Sequence, residues 1–108
     1  MRMWNIQPTL LCRKHLLAEH VETHMFDGCM RKNKNLDGYI HKGLVEIHNI
    51  TNRHHELATE IVRRGYNHNS PLVKWHSYGG GRVDVKESFS ELRRRCLDCR
   101  KRMDNGKK

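Results

Sequence analysis

An all-α fold is the class this sequence predicts, on three observations. Apolar residues recur at three- and four-residue spacing in three separate stretches, glycine or proline punctuates the gaps between them, and sustained two-residue alternation is missing. A chain of 108 residues supports one small domain. Residues 1–108 are therefore expected to form a compact unit of three main helices with an extended N-terminal arm.

Residues 1–8, which include Pro8, read as that arm. A first helix is expected over Thr9–Met25, with Thr9 as its N-cap and Leu10, Leu17 and Val21 as its apolar stripe. The stretch from Asp27 to Gly38 is basic and glycine-bounded, which suits a loop that meets phosphate. A second helix is expected over Gly43–Arg64: Ile47, Ile50, His54, Leu57 and Ile61 keep a three-four rhythm, and Gly65 stops it from the left-handed C′ position. Asn67–Pro71 is turn chemistry, the one stretch with strand character is Leu72–Trp75, and Gly79–Gly81 is a flexible break. A third helix, about 84–103, opens on a capping box of Asp84 and Glu87 and continues through Val85, Phe89, Leu92, Cys96, Cys99 and Met103.

Composition narrows the function. With 36% hydrophobic and 31% charged residues the chain belongs with folded rather than disordered proteins. A net charge of +9, with nine histidines not counted, favours a polyanionic partner: nucleic acid first, an anionic membrane surface a distant second. No apolar run approaches the roughly 18–20 residues that cross a bilayer, and Met1-Arg2-Met3-Trp4-Asn5 lacks the apolar centre of a signal peptide, so a cytoplasmic protein without a membrane partner is expected. Its four cysteines are then expected to be reduced thiols.

The chemistry is sought in the first helix. At ~100° per residue, the step from His15 to Glu22 returns to nearly the same face, with Glu19 nearby. Taken alone this pattern is weak, because Glu and His on a helix are usually solvated or capping groups. The arm adds weight. From Thr9 to Glu22 a helix advances about 20 Å at 1.5 Å per residue, and an extended arm running back from Pro8 reaches ~23 Å. The arm can thus deliver the α-amine of Met1 beside Glu22. An α-amine titrates near ~7.7–8.0, against ~10.4 for lysine, so a usable fraction is nucleophilic at physiological pH. Attack on a sugar C1′ would displace a base and leave an imine. A neighbouring carboxylate would stabilise the cationic transition state and assist proton removal from C2′. His15 is placed to orient the carboxylate or to meet phosphate.

The run His15-Leu-Leu-Ala-Glu-His-Val-Glu22, then Gly28 with Arg31-Lys32, and Arg53 through Glu60-Ile-Val-Arg-Arg-Gly-Tyr66, resembles the pyrimidine-dimer DNA glycosylases over roughly residues 1–72. That resemblance implies a compact helical fold, no cofactor, and glycosylase activity combined with abasic-site lyase activity on double-stranded DNA containing damaged pyrimidines or abasic sites, by a protein expected to be a monomer associated with the nucleoid. It implies that the N-terminal α-amine is the nucleophile and Glu22 the essential carboxylate. His15 matches the family histidine, Arg2 a substrate-contacting arginine, and Arg31 and Lys32 a basic pair facing DNA. The chain departs from the family's best-known member in three places. Met1 takes the place of a threonine that there loses its methionine, and Arg2 should block that removal here. Val21 and Met25 replace arginines that grip the damaged strand, a task His20 or His24 is expected to share. Two alternatives remain open: a non-catalytic basic DNA-binding module, or a glycosylase of this fold for another modified pyrimidine.

Cys96 and Cys99 have the spacing of a zinc pair, but both fall on the apolar stripe of the third helix. Core packing is the favoured expectation and no metal is assigned. Trp4 is expected to pack the arm onto its helix, whereas Lys74, Trp75 and Tyr78 are candidates for stacking on or gripping DNA. The arginines at 93–95 and the basic run 100–102 read as a solvated face that in part meets phosphate.

Overall fold

In the computed structural model, which describes residues 1–68, 70–72 and 80–105, five helices follow the N-terminal arm and no strand occurs among the described residues. They are α1 (Arg13–Arg31), α2 (Asp37–His41), α3 (Ile50–Arg63), α4 (Val85–Arg95) and α5 (Leu97–Asn105), with 3-10 turns at Pro8–Leu10 and Ile47–Asn49. The helical class is as the periodicity predicts, while several boundaries move. The expected strand-like stretch at Leu72–Trp75 lies, beyond Leu72, outside the described residues.

Thr9 does not cap α1. Pro8 sets off a 3-10 turn that ends at extended Leu11, and α1 starts after Cys12 without a side-chain cap. The turn's outward carbonyls are taken instead by arginines: Arg64 donates to the oxygens of Pro8 (3.2 Å) and Leu11 (2.7 Å), and Arg102 to that of Thr9 (3.0 Å). At its other end α1 runs six residues past Met25, because Gly28 weakens a helix without breaking it. The expected basic loop therefore shrinks to the residues between Arg31 and Asp37. The stop comes from Asn33, at φ 55°. Its N–H reaches the Met30 oxygen and the Lys34 N–H that of Cys29, the paired bonds of a Schellman cap. The same cap closes α2 at Gly43 and α3 at Gly65, whose φ values are 69° and 85°. Gly43, expected to open the second helix, is thus the terminator of α2, and α3 begins only at Ile50.

The third helix divides. Asp84 caps it as expected, accepting from the N–H groups of Lys86 and Glu87. Extended Cys96 (φ −127°, ψ 113°) then separates α4 from α5. The kink lets Leu92, Cys99 and Met103 join one core cluster with Trp4, Ile6, Leu11, Leu16, Leu57 and Ile61. A second cluster, around Met3, Phe26, Val45, Ile47 and Ile50, closes the other end. The arm feeds both, because Met3, Trp4 and Ile6 are all buried. Burying one aliphatic side chain contributes ~1.5–3 kcal/mol, so the arm is part of the core.

The principal packing is α1 against α3. The buried face of α1 is Leu16, Glu19, His20, Thr23, Phe26 and Asp27, not the expected stripe: Leu10 and Leu17 are only partly buried and Val21 is exposed. The true face keeps helical spacing but is mostly polar, so hydrophobic periodicity selects its neighbour.

Candidate active site

The arm is seated by groups that its own sequence supplies. The Met3 N–H donates to the Leu44 oxygen (2.6 Å) and its sulfur accepts from the Glu46 N–H (3.5 Å). Asn5, in the left-handed region at φ 56°, donates its side-chain amide to Glu46 (2.8 Å). Arg2 spreads its guanidinium over the Trp4 ring, 3.8 Å from the centroid, and donates to Ser88 Oγ (3.2 Å). The Arg2 Nε is buried with no hydrogen-bond partner among the described residues.

This seating leaves the Met1 nitrogen 4.0 Å from Glu22 Oε1 on α1. Partial burial of Glu22 pushes its carboxyl above the usual carboxylate range and nearby Glu19 pushes the same way, while the α-amine and an N–H donated by the Arg2 backbone pull it down. A carboxylate so placed can accept a proton and stabilise positive charge within reach of an amine.

One turn earlier, Glu19 is fully buried and accepts two bonds from Arg53 of α3, at 2.6 and 2.9 Å. Arg53, 1% exposed, also donates to the Ile6 oxygen (2.7 Å). A single guanidinium therefore joins arm, α1 and α3 directly beneath the amine–carboxylate pair. Composition gives no sign of this, because a buried ion pair looks in sequence like two surface residues.

His15 is not brought to Glu22. Seven residues along a helix are about 10.5 Å, and its Nδ1 instead faces Cys12 Sγ (3.3 Å) and Cys99 Sγ (3.6 Å), with its ring and that of Trp4 in a T-shaped contact. Burial lowers its basicity. The expected role in orienting Glu22 is thus without a contact.

His20 is buried rather than turned to solvent, so the grip expected of it is corrected. Its Nε2 meets Nε2 of His54 (3.1 Å) and of His68 (3.0 Å). Desolvation first, then neighbouring imidazoles, lower its pKa to about 4; burial does the same for His54, also to about 4. His24, half-buried, packs its ring on His20 and His54 and bonds the Ser70 oxygen (3.0 Å). The place of His54 on the stripe of the second helix foretells its burial but not its partner, and His68 has no sequence signal beyond its residue type. Arg31 is exposed and paired with Asp27 (3.0 Å), and Lys32 is exposed at the C-cap of α1. Lys74, Trp75 and Tyr78 lie outside the described residues. No helix among the described residues is long and apolar enough to cross a membrane.

No curated protein and no solved structure matches the chain. A family model described as pyrimidine dimer DNA glycosylase matches residues 1–74. The match takes in the arm, α1 and α3, and with them both members of the amine–carboxylate pair and the Glu19–Arg53 clamp beneath it. Because it spans well over half of the 108 residues, the chain belongs to the pyrimidine dimer DNA glycosylase family, whose members are DNA repair glycosylases.

Proposed function

We propose that this protein is a glycosylase with abasic-site lyase activity, acting on double-stranded DNA through the α-amine of Met1. The observation that carries the reading is the 4.0 Å approach of the Met1 nitrogen to Glu22. The amine, in its neutral form, adds to C1′ of a damaged nucleotide held out of the stack. The glycosidic C1′–N bond breaks, and the base leaves with the electron pair and a proton. Opening of the sugar at O4′ gives an imine between C1′ and the Met1 nitrogen. Glu22 stabilises the cationic sugar during the first step and then takes the C2′ proton. The 3′ phosphate leaves by β-elimination, and water hydrolyses the imine to restore the amine.

Arg2 holds the Glu22 carboxylate through its backbone N–H, and its half-buried guanidinium meets the damaged strand at its open edge. Arg31 and Lys32 meet phosphates flanking the site. His15 takes no part in proton transfer, and His20 and His24 act through the packing of α1 against α3. One chain supplies both reacting groups, and the protein works as a monomer in the cytoplasm.

Borohydride reduction of the imine tests this reading. The wild-type protein is expected to form a covalent adduct with an abasic duplex. Glu22→Gln and N-terminally acetylated protein are expected to form none. Salt-sensitive DNA binding without any adduct would leave only a binding module. A second reading, a glycosylase for a different modified pyrimidine, is favoured by Val21 and Met25, which expose apolar side chains (53% and 48%) where the resemblance places strand-gripping arginines. Trapping rates on dimer-containing and hydroxymethyluracil duplexes separate the two.

A further inference from the structure

Two pairs of potential ligands, each spaced by three residues, meet far from the amine. Cys12 and His15 lie at the start of α1, and Cys96 and Cys99 at the joint between α4 and α5. Their ligand atoms, Sγ of the three cysteines and a ring nitrogen of His15, all lie within 4.8 Å of one another. We propose that these four side chains form a structural zinc site that fastens the C-terminal helices to the base of α1.

The distances suit the ion. With Zn–S near 2.3 Å and Zn–N near 2.0–2.1 Å, a tetrahedral site has S···S edges of about 3.8 Å and S···N edges of about 3.5 Å. Here Cys12 and Cys96 sulfurs are 3.9 Å apart, and His15 Nδ1 stands 3.3 Å from Cys12 Sγ and 3.6 Å from Cys99 Sγ. Backbone amides already point at the sulfurs: the Cys12 N–H donates to Cys99 Sγ (3.2 Å) and the Cys99 N–H to Cys96 Sγ (3.5 Å). Such donors stabilise zinc-bound thiolates. Three thiolates and one imidazole leave the zinc centre with one net negative charge, and Lys14 and Arg95 line the surface around it. Four protein ligands close the coordination shell, which is the pattern of a structural rather than a catalytic zinc. The extended kink at Cys96, which interrupts an otherwise continuous helical pattern, brings the pair into this position.

Metal analysis and thiol chemistry on the whole protein test the proposal. Protein purified without chelator is expected to hold one zinc per chain. Cobalt in its place should give a thiolate-to-metal charge-transfer band, which the His20, His54 and His68 group cannot produce because it contains no sulfur. Zinc should protect Cys12, Cys96 and Cys99 from alkylation while Cys29, which is outside the cluster, keeps reacting. Cys96→Ser, at a half-buried ligand, should weaken zinc binding at least about 10-fold. If that variant does not fold, the protection experiment on the wild type decides. Alkylation unaffected by zinc, a charge-transfer band absent from the cobalt form, or a Cys12–Cys96 disulfide in the freshly purified protein would overturn it.

Discussion

Arg53 shows how a residue outside the amine–carboxylate pair fixes the elements that carry it. Its guanidinium holds Glu19 and the Ile6 carbonyl together at the root of the arm, and both ionised partners are buried. Removing one member strands the other charge. Arg53→Met is expected to cost ~3–5 kcal/mol of stability by chemical denaturation. Adding Glu19→Gln to that variant should return part of the loss. Glu22 is different: half-buried beside an amine, it should be dispensable for folding and required for trapping. Trapping needs the amine neutral and Glu22 ionised, so its rate should fall with acid in two steps. Because burial raises the Glu22 carboxyl, the lower step, that of Glu22, should lie above the ordinary glutamate value. A lower step at or below that value would contradict the role.

The helices owe their ends to backbone conformation more than to side-chain caps. Gly65 at φ 85° permits the turn after α3, and an L side chain there is strained. Gly65→Ala should lower stability by ~1–2 kcal/mol. Asp84→Ala, which removes the one side-chain N-cap bond set found on α4, should cost ~0.5–2 kcal/mol. Thermal melts of the two variants measure both. The Gly65 stop and the Asp84 cap are legible in sequence because each depends on one residue's local preference. The end of α1 is not, since Asn33 is a weaker signal than glycine for the left-handed position. The buried face of α1 is hidden from hydrophobic periodicity for a related reason. Its buried residues Glu19 and His20 are tolerated only because Arg53 and His54 partner them, and partners distant in sequence have no local signature. The Cys12–His15 pair has no local signature either, because its counterpart at Cys96 and Cys99 follows 84 residues later.

Across the whole molecule, buried imidazoles and arginine-held carboxylates set the response to acid. His20 and His54 titrate at about 4 in the folded protein, below the ordinary value of 6.5. The unfolded chain therefore binds protons first, and stability is lost as pH falls from about 6.5 toward about 4. Glu60 is held at about 2 chiefly by its hydrogen bonds from Arg63, with Arg64 adding to them. Its contribution is present above about 4.5 and disappears as pH drops toward about 2. Melting temperature against pH should show both declines, and a His20→Gln/His54→Gln double variant should lose the upper one. The arm belongs to this scale as well, since it supplies the core with Met3, Trp4 and Ile6 and the proposed reaction with its amine. The most direct measurement is the identity of the trapped atom: reduce the adduct on an abasic duplex, digest it, and locate the sugar remnant by mass spectrometry. The account predicts the remnant on the α-nitrogen of Met1 and on no lysine. A remnant on a lysine side chain, or a trapped protein whose N-terminus is blocked, would contradict it.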